Sequence, residues 1–299
     1  MTHYLSPAKL RLLRILRFER LQRLALTTMK EIYLRWMNES RCIASRYEVP
    51  EFYQRFKPAL AISRRIFFHS PLLIHCRELV TPQYVDDFGH GLQHATRVSV
   101  DAGTIVLLEG EKYFPVQAEL ERAVVLVQLA GLLHDVKRTE EEHASAGARA
   151  AKELLRDFPL TPVEIQCIAE AIVNHEAFSE TRTCDTLTGQ LVADALYDAD
   201  KFRWGPDNFT HTVWYMMSYQ QVDIAELFGR FPWGVNGILR IKDTFRTNIG
   251  AQYGPEFIDL GVRIGKEIYQ HLQRHLDSLT NDEESDSEER IDSGDQGGG

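Results

Sequence analysis

The sequence predicts an all-α protein, and two observations lead to that prediction. Apolar side chains recur at three- and four-residue steps along almost every patterned segment, which is the spacing of one helix face. Alternating apolar and polar runs bounded by turn residues, the pattern of strands, are nearly absent. With 299 residues, 44% of them hydrophobic, the chain is long enough to bury a core without disulfides. A bundle of helices is therefore expected.

The charge pattern and the periodicity divide the chain into four predicted regions. Residues 1–70 form a basic helical region with 14 Lys/Arg against 5 Asp/Glu. Residues 71–205 form the core, and residues 206–280 form a helical extension packed on it. Residues 281–299 hold 8 acidic residues and one arginine, and we expect a disordered acidic tail there. The net charge of −9 argues against general nucleic-acid binding.

The cysteines and the apolar runs predict a cytoplasmic protein. No Cys-x-x-Cys pair occurs among Cys42, Cys76, Cys167 and Cys184, which favours free thiols in a reducing compartment. The longest apolar stretch, Ala123 to Leu133, is interrupted by Gln128 and is shorter than the roughly 20 residues of a spanning helix. Arginines break up the first leucines of the chain, so no signal peptide is expected.

The first predicted helices differ in pattern. From Leu26 onward, apolar residues form one stripe, consisting of Met29, Ile32, Tyr33, Trp36 and Met37. Residues 10–24 instead distribute Leu and Arg around the whole helix. Packing on the rest of the chain with the arginines in water is favoured, and peripheral contact with an anionic membrane surface is the alternative. A second subunit in a homo-oligomer is equally left open as the partner.

Helix starts and a late helix complete the predicted framework. Thr139 to Glu142 and Thr161 to Glu164 both have the pattern of a capping box, and Pro162 suits the first position of a helix. A second helical stretch, rich in aromatic residues, runs from about Phe209 to Leu279. Its last helix is predicted over Glu256 to Leu279.

The residues with the most chemical potential are His134 and Asp135, which directly follow the apolar helix Leu120 to Leu133. An imidazole and a carboxylate are both ligands for a divalent metal ion. On the predicted helix from Gly91, His94 shares a face with Val98. A His-Asp pair alone is weak evidence, so the positions of the other histidines decide its meaning.

Two further histidines lie on inner helix faces. His143 aligns with small residues on the helix predicted from Thr139, and His175 extends the apolar stripe of Ile168 and Ile172. Each histidine taken singly favours a structural role. Three of them on separate inner faces, beside a His-Asp pair, favour a metal site.

Helical phase selects one carboxylate near the end of the core region. Asp194, Asp198 and Lys201 fall at steps of four and three and are expected on a solvated face. Asp200 instead lines up with Leu196 on the buried side, where a carboxylate is costly unless it is paired or binds a metal. Asp200 is therefore preferred to Asp198.

In this order of residues the sequence resembles the HD-domain superfamily of metal-dependent phosphohydrolases, whose pattern is His, His-Asp and Asp on a helical bundle. The resemblance covers roughly residues 85–205, and the matching segments are His94-Ala95-Thr96-Arg97-Val98, Leu132-Leu133-His134-Asp135, Asn174-His175 and Asp198-Ala199-Asp200-Lys201. It implies an HD-type bundle with extra N- and C-terminal helices. It also implies that one divalent cation is bound by His94, His134, Asp135 and Asp200. Manganese, magnesium, nickel, iron and zinc are not distinguished, and a second metal is left open.

The resemblance also implies roles for nearby residues. Arg97, His143 and His175 are candidates for catalysis through phosphate contact or general acid action, and the two histidines are alternatively ligands of a second metal. Lys137, Lys201 and His90 are candidates for substrate binding. For Arg97 an ion pair with Asp101 is the alternative, and for both lysines it is solvation. His90 with His94 is a rival chelate that the resemblance makes less favoured.

The expected function is hydrolysis of a phosphate ester or anhydride, with a nucleotide as the best class of small phosphorylated substrate. Arg138 and Thr139 stand where the guanosine tetraphosphate hydrolases of the family carry an acidic pair, so the substrate stays open. The closest resemblance is to small HD hydrolases with a His-Asp-x-x-Arg pattern. A non-catalytic, ligand-sensing HD module and a di-iron oxygenase-like protein are the alternatives.

Overall fold

The architecture is helical throughout the described part of the chain. The computed structural model describes residues 29–84, 91–220 and 224–292, and these residues form helices, turns and no strand. The all-α prediction is confirmed. None of these helices has the length and apolar composition required to cross a bilayer. Residues 10–24 and His90 lie outside the described residues.

The helices follow one another through short connections. Their bounds are α1 Met29–Ala44, α2 Glu51–Arg55, α3 Lys57–His69, α4 Pro71–Val80, α5 Leu92–Gly110, α6 Gln117–Leu133, α7 His143–Leu155, α8 Pro162–Val173, α9 Leu187–Phe202, α10 Val213–Gln220, α11 Ile224–Leu239 and α12 Asn248–Asp292. Short 3-10 turns lie at Thr81–Gln83 and Arg240–Asp243, and a π-helical turn lies at Asn208–Thr212.

The centre of the bundle is the pair α5 and α6. α9 packs against both, α8 packs on α9 and α6, and α3 covers the other side of α5. The two central helices approach closely because Gly131 has no side chain: a Cβ there would lie 2.8 Å from the Cα of Ser99. The buried Gln128, which interrupts the apolar run of α6, donates to the Ser63 carbonyl and hydroxyl on α3.

The buried apolar side chains form two clusters. The larger cluster is built by α2 to α9 together with Tyr253 and Phe257 of α12. The smaller cluster joins α1 to residues 209–272, with the predicted stripe residues Tyr33, Trp36 and Met37 buried in it. α1 therefore packs with the C-terminal helices, whereas α2 to α4 pack with the core. The predicted regions themselves stay predictions.

The two predicted capping boxes have different outcomes. The Thr161 box is confirmed: its hydroxyl accepts from the Glu164 N–H, and the Glu164 carboxylate accepts from the Thr161 N–H. The Thr139 box is wrong, because α7 begins at His143 with Glu142 as its N-cap. Residues 135–140 instead form turns, with hydrogen bonds from Arg138 N to Asp135 O and from Glu140 N to Lys137 O.

The last helix is longer than predicted. The sequence predicts Glu256 to Leu279, whereas α12 begins at Asn248 and continues to Asp292. Its start is fixed by Thr247, whose hydroxyl accepts from the Gly250 N–H. Helical backbone thus extends over residues 281–292, where disorder is predicted, and the glutamates there have high helix propensity. Residues 293–299 lie outside the described residues.

Candidate metal centre

Histidines and aspartates from five helices meet at one end of the central helix pair. All the contributing side chains lie in the first turn of a helix, in the last turn of one or just beyond its end. They are His94 at the start of α5, His134 and Asp135 directly after α6, His143 at the start of α7, His175 after α8 and Asp200 near the end of α9. The fold therefore brings together every described histidine and aspartate that the sequence and the resemblance predict for the site.

Four of these residues form the tightest group. His94 Nε2 lies 3.2 Å from both His134 Nε2 and Asp200 Oδ1. Asp135 Oδ2 lies 3.3 Å from His134 Nε2 and 3.7 Å from His94 Nε2. His134 Nε2 and Asp200 Oδ1 are 3.8 Å apart. Ligand atoms about 2.1 Å from one ion are about 3.0 to 3.4 Å apart, so the distances from the two histidines are close to the spacing within one coordination shell.

Backbone carbonyls fix the tautomers of two histidines. His134 Nδ1 lies 2.8 Å from Gly131 O, and His175 Nδ1 lies 2.6 Å from Ile172 O. A carbonyl oxygen only accepts, so each Nδ1 carries a proton, and the lone pair that could bind a metal ion is the one on Nε2. Both Nε2 atoms lie close to Asp135. This backbone support is the usual arrangement behind metal-binding histidines.

A second donor group shares Asp135 with the first. Asp135 Oδ1 lies 3.6 Å from His175 Nε2 and 3.9 Å from His143 Nε2. Among the described residues, two sets have donor atoms near enough to hold an ion: His94 with His134 and Asp135, and Asp135 with His143 and His175. Asp135 therefore faces one set with each carboxylate oxygen. The donor chemistry fits a divalent cation at the first set, and a second cation stays an alternative.

The electrostatics of the first group favour added positive charge. Burial alone would raise the pKa of Asp200, but the Lys201 ammonium, with His94 and His134, holds that pKa well below its usual range. Burial would lower the pKa of His134, yet the Asp135 carboxylate raises it above its ordinary value. Two buried carboxylates thus draw cations and protons into the site, as metal-binding carboxylates do.

The structure changes the expectation for Asp198 and supports the choice of Asp200. Asp200 lies in the first donor group, 3.2 Å from His94. Asp198 is not on a solvated face: it is fully buried and accepts hydrogen bonds from the backbone N–H groups of Arg246 and Thr247. Its partners precede α12 in the chain, so Asp198 attaches that helix to α9.

The predicted substrate-binding lysines differ in environment. Lys201 is 2% exposed, and its Nζ donates to the His175 carbonyl and to Asp200 Oδ2. The expectation of a solvated Lys201 is therefore wrong. Through these two hydrogen bonds Lys201 supports the positions of His175 and Asp200. Lys137 lies at the surface, with its Nζ 3.3 Å from Glu140 Oε1.

Arg97 has a different partner from the one proposed as its alternative. Its Nη1 donates to Asp207 Oδ1 at 2.8 Å, whereas Asp101 is bound by Arg203 and the Tyr53 hydroxyl. The alternative pairing of Arg97 with Asp101 is therefore wrong. A small cavity of about 40 Å³ adjoins His94 and is lined by residues that include Arg97, Arg203 and His211.

Sequence reasoning missed two residues that contact the site. Arg138 Nη1 donates to His143 Nε2 at 2.8 Å, and Glu176 Oε1 lies 3.0 Å from His143 Nδ1. Burial lowers the pKa of His143 to about 4, and the Arg138 charge acts in the same direction. The ring is therefore neutral near pH 7. Glu176 directly follows His175 in the chain, which is the one sequence signal for its place.

No protein-family model, curated protein or solved structure matches the chain. What the site can do chemically follows from its donor set: two imidazole nitrogens and two carboxylate oxygens, buried and held by neighbouring helices. Such a set binds a divalent cation of borderline hardness.

Proposed function

We propose that the protein is a metal-dependent phosphohydrolase that cleaves a phosphate ester or anhydride, with a nucleotide as the preferred substrate class. The observation that carries this proposal is the buried group His94, His134, Asp135 and Asp200, in which the two histidine Nε2 atoms lie 3.2 to 3.8 Å from each other and from the carboxylate oxygens. The order of these residues matches the pattern of the HD-domain superfamily, which the sequence resembles.

The residues of the chain divide the work of such a reaction. His94, His134, Asp135 and Asp200 hold the cation, which supplies an activated water and neutralises phosphoryl charge when bound. Arg97 is held by Asp207 beside His94, where its remaining N–H groups are placed to meet phosphate oxygens. His175 is oriented by the Ile172 carbonyl and presents Nε2 to Asp135, whose Oδ1 lies 3.6 Å away.

The proposal is tested with a panel of phosphate esters and anhydrides, nucleotides included, in the presence of manganese, magnesium or nickel. Wild-type protein is expected to release phosphate or pyrophosphate only when metal is added. Asp135→Ala removes a carboxylate that both donor groups share, so turnover is expected to fall by at least a thousandfold. Asp157→Ala, a change at an exposed aspartate after α7, is the matched control and is expected to keep wild-type activity.

Two results would defeat this proposal. One is a wild-type protein that turns over no ester on the panel with any of the metals. The other is an Asp135→Ala variant as active as Asp157→Ala. Dioxygen consumption with two bound irons would instead favour the oxygenase-like alternative, which the second donor group keeps in view.

A further inference from the structure

The second donor group contains a cation of its own. Arg138 Nη1 lies 2.8 Å from His143 Nε2 and 3.7 Å from Asp135 Oδ1. These are two of the three atoms that an ion at the second position would need, the third being His175 Nε2. The guanidinium and a second metal ion would therefore compete for the same lone pairs.

Two contacts of His143 define the direction of its hydrogen bond with Arg138. Nδ1 faces the Glu176 carboxylate at 3.0 Å, which only accepts, so the ring proton lies on Nδ1. Nε2 is then the acceptor for the Arg138 N–H. Arginine does not lose its proton near neutral pH, so the positive charge at this place is permanent.

We propose that the Arg138 guanidinium takes the place of a second metal ion, so that the centre binds one cation per chain at His94, His134, Asp135 and Asp200. This inference rests on the metal centre of the proposed function. A second divalent ion would sit within a few ångströms of a fixed positive charge in a largely buried site, where repulsion is strong. Arg138 is 39% exposed, so its other N–H groups remain accessible to the oxyanion of a phosphorylated substrate.

The chain offers a matched control in the neighbouring residue. Lys137 carries the same charge one position earlier but pairs with Glu140 at the surface. Removal of either side chain changes the net charge equally, and only removal of Arg138 frees the lone pair of His143 Nε2. A difference between the two variants therefore reports the contact and not the overall charge.

The experiment measures bound manganese per folded chain, by elemental analysis after equilibrium dialysis and by calorimetric titration of the full-length protein. One ion is expected for wild type, Lys137→Ala and Arg138→Lys. Two ions are expected for Arg138→Ala, with the second ion bound at least tenfold more tightly than any second ion in wild type. Arg138→Gln, which keeps a polar side chain but is shorter and uncharged, should behave as Arg138→Ala and replaces it if that variant does not fold.

The outcomes separate this inference from the proposed function. Two ions in wild type, or one ion in a folded Arg138→Ala or Arg138→Gln, overturns the role of Arg138. No ion in wild type overturns both proposals. One ion in wild type and two in the variant, without turnover of any ester, supports the role of Arg138 and removes the phosphohydrolase.

Discussion

At the scale of single residues, Lys201 places a buried positive charge directly beside the site. Its ammonium is buried between the carboxylate of Asp200, a member of the first donor group, and the backbone carbonyl of His175, a member of the second. It lies on α9 and bonds to the chain just beyond α8, so it also connects the two helices. Lys201 therefore stabilises Asp200 as an anion before any metal binds.

Lys201→Met is expected to destabilise the metal-free protein by about 3 to 5 kcal/mol, because it leaves the buried Asp200 carboxylate without its ammonium partner. Urea unfolding in a chelating buffer measures this change. The exposed Lys137→Met is the control and is expected to change stability by less than about 0.5 kcal/mol. Similar unfolding midpoints for the two variants would contradict the role given to Lys201.

Residue-scale prediction from the sequence worked where the information was local. Helical phase predicted a buried Asp200, and it is buried, whereas the ligand roles that the resemblance implies for His94, His134 and Asp135 stay predictions. It failed for Asp198, because the backbone groups that satisfy its carboxylate come from Arg246 and Thr247, far along the chain. No periodicity within one helix reports such a partner.

At the scale of helices, the approach of α5 to α6 sets the geometry of the first donor group. His94 lies on α5 and His134 follows α6, and between them Gly131 of α6 lies against Ser99 of α5 without room for a Cβ. The Gly131 carbonyl also orients the His134 ring. Packing and ligand orientation thus depend on the same residue.

Gly131→Ala is expected to cost about 1 to 3 kcal/mol of stability, because a Cβ there would lie 2.6 Å from Ser99 Oγ and 2.8 Å from Ser99 Cα. Manganese affinity should also fall, since His94 and His134 are pushed apart. Denaturant unfolding and calorimetric titration measure the two effects. Gly229→Ala, in α11 with nothing within 4 Å, should instead stabilise by up to about 1 kcal/mol. An unchanged metal affinity in Gly131→Ala would show that the helix spacing does not control the site.

The two predicted capping boxes show when a local sequence pattern is enough to locate the start of a helix. Thr161 and Glu164 form their reciprocal bonds because the chain enters α8 directly from an extended residue. After α6 the chain must turn between Asp135 and His143, because Asp135 Oδ1 and His143 Nε2 lie 3.9 Å apart at the site. The intervening turns use the residues that would otherwise form the Thr139 box, so tertiary geometry overrides the local pattern.

At the scale of the whole molecule, the C-terminal helices complete the core. Tyr253 and Phe257 of α12 are part of the larger apolar cluster, and the loop before α12 satisfies Asp198. At the end of α9, Gly205 crosses α12 at Gly261, where a Cβ would lie 2.4 Å from the Gly205 carbonyl carbon. Only two residues without side chains permit that crossing.

A chain that ends at residue 245 is therefore expected to lose cooperative unfolding and manganese binding, because Asp198 loses its partners and the core loses two aromatic residues. A chain that ends at residue 280 keeps every side chain of both apolar clusters and should match the full-length protein in both measurements. Thermal unfolding followed by circular dichroism, with metal analysis, distinguishes the two. Cooperative unfolding and bound metal in the shorter chain would refute the dependence on α12.

The fold class was within reach of the sequence, because the 3.6-residue period is a local property of each helix. The sharing of α12 between two clusters and the burial of Lys201 were not, since both depend on contacts between distant segments. The contact of Arg138 with His143 was also beyond the reach of the sequence, because the turns between α6 and α7 bring these two side chains together.

The crossing at Gly205 and Gly261 also bears on the order of events during synthesis. A ribosome releases α9, with Asp198, well before it releases Arg246 and Thr247, whose backbone N–H groups bind that carboxylate. Asp198 has no such partners until residue 247 has emerged, and the crossing of Gly205 with α12 cannot form until residue 261 has emerged. Domains usually complete folding as each emerges, whereas here a buried carboxylate of α9 acquires its partners only when the C-terminal part of the chain follows.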